Sequence, residues 1–400
     1  MERGHIKLTN PERFLGNYEI PREKLNNAIK KATEKLLSKL DAYATGFPSQ
    51  YTDNYDLYKL GENNNWECGL HTGTILLAYD LTGDERFLDV VKKHMETYRY
   101  RFDNKINFKD HDFGFVFSPS TVAYYKRTGD KAARELSLEA AEYFYNVGFC
   151  KEGGFIPRYL NFAETRDPDG CRTMMDTLFN SPLFLWAGEE TGDSKFTEAG
   201  LSQARITRDY LIREDGSSNH HYQFELDTLK PLYGVTLQGN RNDSTWTRGH
   251  AWGVYGFPIS YDYTKDESLM DVHSDVTAFM LNNLPSDNVL YWDYDFSDGS
   301  DEPRDSSATV VGVCGLLEAA RLLPENSPKK EIYTNAANMM LEGVIDMFSG
   351  DAGRPYDGLI WGVTGARRLD IGLDACATYG DYFYLESLLR ITKPEWKRYW

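Results

Sequence analysis

YDLTGDERFL, Tyr79 to Leu88, ends one apolar segment and begins another within ten residues. The pattern returns in YKRTGDKAAR (Tyr125 to Arg134), EETGDSKFTEAG (Glu189 to Gly200) and YDYTKDESLM (Tyr261 to Met270). In the first three, glycine supplies the left-handed residue that stops a helix, and the aspartate after it can accept hydrogen bonds from the free amides of the next helix. In the fourth, Lys265 stands in place of that glycine. A fifth break, LLPENSPKKE (Leu322 to Glu331), uses Pro324 and Pro328 for the same purpose. Weak self-similarity at intervals of tens of residues marks a helical repeat architecture, here a series of helical hairpins.

Filling in between the turns predicts twelve helices. The first, Pro21 to Ala44, carries Leu25, Ile29, Ala32, Leu36, Leu37 and Leu40 at the spacing of one buried face. Then come Leu70 to Leu81 and Glu85 to Tyr100, Phe113 to Lys126 and Lys131 to Val147, Thr177 to Glu190 and Lys195 to Ile212. Gly249 to Tyr263 and Glu267 to Asn282, Ser307 to Leu322 and Lys329 to Phe348, and Leu373 to Ile391 complete the set. One member of each pair is apolar and rich in small residues; the other is more charged, with one apolar face. Six inner and six outer helices in alternation predict an all-α (α/α)6 barrel. It is read as a single domain over 1–400, with 1–20 an extended N-terminal arm.

Composition excludes several classes. The 400 residues are 41% apolar and 26% charged, which suits a globular chain with a large core and offers no membrane span. The polar N-terminus lacks the apolar stretch of a secretion signal, so a cytoplasmic protein is expected. Five cysteines with no C-x-x-C spacing argue against a disulfide framework and against a thiolate metal site. A net charge of −17 makes nucleic acid an unsuitable partner.

The connections at the TGD turns are short, whereas those entering the inner helices are long and aromatic: 43–66, 101–111, 151–175, 214–248, 284–305 and 349–372. They crowd one end of the barrel, and long loops in a compact domain usually carry function. At that end HDFGF (His111 to Phe115) and MMDTLFNSP (Met174 to Pro182) place Asp112 and Asp176 just ahead of two helices. Each alone reads as an ordinary N-cap. Beside Trp66, Trp246, Trp252, Trp292 and Trp361, however, the pair suggests a sugar site, because pyranose faces stack on indole rings while hydroxyls need polar partners. Two carboxylates of unequal pKa would then serve glycoside chemistry.

Longer motifs sharpen this. HDFGF, MMDTLFNSPLFLWA, GSSNHHY (Gly216 to Tyr222), TLQG (Thr236 to Gly239), STWTRGHAWGVYGF (Ser244 to Phe257), WDYDF with PRDSSA (Trp292 to Ala308) and GLDACATYGDYFYLESLLR (Gly372 to Arg390) resemble the unsaturated glucuronyl hydrolases, glycoside hydrolase family 88. The resemblance runs in order from Trp66 to Arg390. It implies the (α/α)6 fold and an activity on oligosaccharides left by polysaccharide lyases, whose terminal uronate carries a C4=C5 double bond. It implies Asp176 as general acid and base and Asp112 as the second carboxylate, holding the proton on Asp176 and bonding substrate hydroxyls. Trp66, His111, His220, Gln238, Trp246, Arg248 and Trp252 are implied as substrate-binding, with Arg248 facing an anionic or hydroxyl side. No metal and no cofactor are implied, since hydrating a vinyl ether needs a proton donor and water. The partner is an unsaturated uronate oligosaccharide, and the protein a monomer or homodimer.

Departures from the family pattern bear on the subsites. Leu237 stands where histidine is common, His250 where glutamine is usual, and GVTGARRLDIG (Gly362 to Gly372) is divergent. Arg367 and Arg368 there suit a carboxylate or sulfate, or simply solvent. Three alternatives stay open: a hydrolase of unsaturated galacturonyl groups from rhamnogalacturonan, an N-acylglucosamine epimerase using histidine bases, and a noncatalytic sugar-binding toroid.

Overall fold

A computed structural model describes residues 5–53, 56–350 and 352–400; residues 1–4 of the expected N-terminal arm lie outside it. The chain is an (α/α)6 barrel. Its inner helices are Glu67–Thr82, the segment opening with Phe113–Phe117, the segment Thr177–Asn180 with Pro182–Thr191, Thr247–Thr264, Ser306–Leu322 and Thr378–Thr392. Each touches the next, and the last returns to the first, closing the ring. Arg22–Tyr43, Glu85–Asp103, Lys131–Tyr143, Ser194–Ile206, Glu267–Asn282 and Pro328–Phe348 form the outer layer. Among the described residues no helix is long and apolar enough to cross a membrane.

The turns behave as their sequence requires. Gly83, Gly129 and Gly192 have φ of 71°, 76° and 72°, and Lys265 takes the same left-handed form at 56°. Asp84, Asp130, Asp193 and Asp266 each accept a backbone amide of the following helix. The local rule therefore fixes both the stop and the restart of the chain, and the hairpins follow from it.

Five predicted helices differ in detail. The one expected over 113–126 is Phe113–Phe117, a wide turn Ser118–Val122 and Ala123–Thr128. Pro119 has no amide to continue the ladder, and the Ala123 N–H reaches back to Ser118 O. Wide turns Phe144–Gly148 and Thr207–Leu211 likewise end the outer helices expected to reach Val147 and Ile212. Pro182 divides the helix expected from Thr177. The last helix begins at Thr378 rather than Leu373, because Ala375 and Ala377 are bridged to Val363 and Tyr51 in extended form.

A three-stranded antiparallel sheet in the long loops was not legible from the sequence. Arg172–Met174 pairs with His221–Phe224, which pairs with Pro231–Val235. It delivers Asp176 and His220 to the same end of the barrel, since Met175 N donates to His220 O at 3.0 Å.

Candidate active site

Asp112 and Asp176 precede their helices without capping them: neither side chain accepts an amide of the turn it heads. The ordinary reading of each therefore fails, and both carboxylates are left for each other and for a ligand. The two turns approach so closely that a Cβ on Gly114 would fall 2.4 Å from the backbone of Asn180. Asn180 ties the turns together, its Oδ1 accepting from Phe115 N at 3.1 Å and its Nδ2 donating to Asp176 O at 3.3 Å. Glycine in HDFGF is thus what lets the two acids meet.

His111 joins them. Its Nε2 is 3.0 Å from Asp176 Oδ1 and 3.4 Å from Asp112 Oδ1. Its Nδ1 faces the main-chain carbonyl of Arg158 at 3.4 Å, and a carbonyl can only accept. Both ring nitrogens thus face acceptors, which is the geometry of an imidazolium. Burial alone would lower the imidazole, but the Asp112 and Asp176 carboxylates outweigh it and push it up to about 10. Burial raises Asp112 to about 7, against the pull of the His111 charge. The side chains of Asp112 and Asp176 are 18% and 17% exposed, so a ligand can reach them, whereas His111 at 6% is a wall. The polar atoms of the three lie within 4.8 Å of one another, close enough for their charges to be coupled.

The neighbouring residues vary in role. Trp66 is half-buried and stacks on Tyr379, centroids 5.7 Å apart and planes 18° apart. Trp246 is buried against His220, ring centres 4.6 Å apart. His220 stacks in turn on His221 at 4.1 Å. No ring nitrogen of either histidine has a protein partner, and burial drives both imidazoles down, His221 to about 3, so both are neutral. Gln238 is half-buried in the loop after Pro231–Val235, next to Leu237, which is 44% exposed.

Three expectations are revised by the packing. The five tryptophans do not form an open funnel: Trp252 and Trp292 are buried, Trp292 donating to Glu302 at 3.0 Å, and Trp361 packs on Phe348. Arg248 is not a free cation. Its guanidinium binds the Asp305 carboxylate and the carbonyls of Thr364 and Gly365, the last two at 2.7 Å, between the rings of Trp246 and Tyr379. Asp305 also caps Ser306–Leu322, so this ion pair joins the starts of two inner helices. His250 is structural, bonded to Ser218 Oγ and Val276 O at 3.0 and 2.8 Å. In the divergent loop, Arg367 pairs with Glu302 and Asp370, and Arg368 Nη1 lies 3.5 Å from Asn242 Oδ1. Reading the sequence did not find His221, Asp305 or Tyr379. All three lie inside motifs quoted above, GSSNHHY, PRDSSA and GLDACATYGDYFYLESLLR, which were the available signal.

A carboxyl that holds a proton near neutrality, a second carboxylate and a cation between them can donate a proton and take one back. Comparison with known proteins gives the same direction. The family model for Glycosyl Hydrolase Family 88 matches residues 39–319. The unsaturated chondroitin disaccharide hydrolase of Streptococcus pneumoniae is 38% identical over 396 residues, 98% of each chain. The unsaturated glucuronyl hydrolase of Bacillus sp. GL1 is 34% identical over 355 residues, 88% of this chain and 93% of that one. A crystal structure of unsaturated glucuronyl hydrolase from Streptococcus agalactiae superposes with a TM-score of 0.93, at 34% identity and full coverage of both chains. A mutant of that streptococcal enzyme, complexed with dGlcA-GalNAc6S, gives 0.86 at 33% identity, again over both full chains.

Proposed function

The chain belongs to glycosyl hydrolase family 88, and from that premise we propose that it removes the 4,5-unsaturated uronate from the nonreducing end of glycosaminoglycan disaccharides released by lyases. It does so by hydrating the vinyl ether. Asp176 delivers to C4 the proton that the Asp112–His111–Asp176 cluster holds near neutrality, which leaves positive charge on C5 and the ring oxygen. Water adds to C5 as the same carboxylate takes back a proton. The resulting hemiketal opens between C5 and the ring oxygen, and the hemiacetal so formed at C1 expels the remaining sugar. Asp112 and the His111 imidazolium set the charge around that exchange, and Trp66 offers its ring to the sugar face. The observation that carries the reading is the Asp112–His111–Asp176 cluster. The names of the streptococcal relatives and the bound dGlcA-GalNAc6S support a chondroitin-type substrate. Five buried free cysteines support a reducing, cytoplasmic location.

The test is the ultraviolet absorbance of the C4=C5 bond in unsaturated disaccharides from chondroitin, hyaluronan, heparin and pectin. Wild type should bleach the chondroitin product fastest. Asp176→Asn should lose about a hundredfold or more with its melting curve unchanged. A folded Asp176→Asn that kept most of the rate would sink the assignment.

A further inference from the structure

Phe115 and Phe179 lie three residues beyond Asp112 and Asp176, each in the short helix that follows its carboxylate. Their rings stack across the two helices with centroids 5.7 Å apart and planes 8° apart. Trp400 touches both. Its indole centre is 5.3 Å from Phe179 and 6.2 Å from Phe115. The residue is 1% exposed, and its Nε1–H donates to Tyr382 Oη at 2.8 Å.

The segment that brings it there is pinned along its length. Trp396 Nε1 donates to the Asp80 carboxylate at 3.1 Å, and the Tyr399 hydroxyl donates to the same group. The Arg398 guanidinium meets Asp262 at 2.9 Å and Glu318 at 3.1 Å. Glu318 also binds Arg390 at 2.8 Å. Trp400 is therefore a fixed wedge. Close-packed interiors transmit displacement instead of absorbing it.

We propose that Trp400 is a positioning residue for the acid–base pair. Seated against Phe115 and Phe179, its indole fixes the separation of the turns that carry Asp112 and Asp176, and so holds the His111 bridge between them. The inference rests on the reading of Asp176 as the acid. The tolerance is narrow: Nε2 of His111 is 3.0 Å from Asp176 and 3.4 Å from Asp112, and a hydrogen bond is lost when a turn moves by about half an ångström.

Trp400→Ala, Trp400→Phe and Tyr382→Phe should be compared with wild type for kcat, KM and the ring 15N shifts of His111, below the melting temperature of each. Trp400→Ala should lower kcat about ten- to a hundredfold with KM within about twofold, and should move the His111 signals. Trp400→Phe should recover most of the loss. A folded Trp400→Ala with wild-type kcat, with a raised KM alone, or with unmoved His111 signals would overturn the proposal. Should Trp400→Ala not fold, the two milder variants decide: a kcat lowered about threefold with displaced His111 signals upholds it, and wild-type values overturn it. Should wild type consume no unsaturated disaccharide, the functional reading fails, while the His111 signals still report whether Trp400 holds the bridge.

Discussion

Nε2 of His111 stands 3.0 Å from Oδ1 of Asp176, so the partner of the expected acid is a cation and not simply a second carboxylate. The sequence had suggested two acids, one raising the other. Folding places an imidazole between them, on the strength of a close approach at Gly114 and a carbonyl from Arg158. Charge in the cluster is therefore set by three groups together.

The pH dependence should show this. Asp112 carries its proton up to about 7, and activity that needs the protonated cluster should fall above that pH by about tenfold per unit. The His111 charge pulls the Asp112 carboxyl down, so His111→Gln should move the descending limb to higher pH while lowering kcat. A kcat/KM profile measured from pH 4 to 9 checks it. A limb displaced toward acid would contradict the assignment.

Gly114→Ala inserts a methyl 2.4 Å from the backbone of Asn180, where no flexible side chain can yield. The two acid-bearing turns must separate. Melting should fall, and kcat should drop about tenfold or more in the protein that remains folded, because misplacement of reacting groups is costly. Steady-state kinetics beside a thermal melt distinguish the two effects.

Arg248→Gln should be a stability variant first. Asp305 is fully buried and would be left without its cation, at a cost of about 3–5 kcal/mol. Urea denaturation measures it. If stability were unchanged and only KM rose, Arg248 would be a ligand contact after all.

Asp381 gives a second, remote pH effect. Burial lifts its carboxyl from 3.8 to about 7, against hydrogen bonds from Leu359 N at 2.6 Å and the Tyr58 hydroxyl at 2.9 Å. The folded state thus binds the proton more tightly than the unfolded chain. Its stability falls as pH rises between these values and stays low above them. Asp381→Asn removes the titration, so its Tm relative to wild type should climb by several degrees from pH 4 to pH 8. A constant difference across that range would refute the shift.

Local rules explain what could be read in advance. Thr-Gly-Asp turns encode stop, left-handed residue and cap within three positions, and inner helices announce themselves by small apolar residues. The places where the reading strayed are those where distant chain intervenes. Pro119 and Pro182 alter helices whose periodicity looked continuous. The sheet from Arg172 to Val235 is held by pairing between segments about 50 residues apart in sequence, which no short window shows. Tryptophans look alike in sequence whether they line a site or fill a core. Only packing separates Trp66, stacked at the mouth, from the buried Trp292.

By itself, the sequence determined the twelve-helix alternation, the end at which the loops gather, and which two aspartates stand at helix starts. These depend on neighbours a few residues away, where backbone sterics and hydrogen-bond spacing act directly. Only the tertiary structure decided that His111 joins the two acids, that Arg248 is committed to Asp305, and that Trp400 closes against Phe115 and Phe179. Distances between residues far apart in the chain follow from how the whole barrel packs, and an acid's proton affinity follows from those distances.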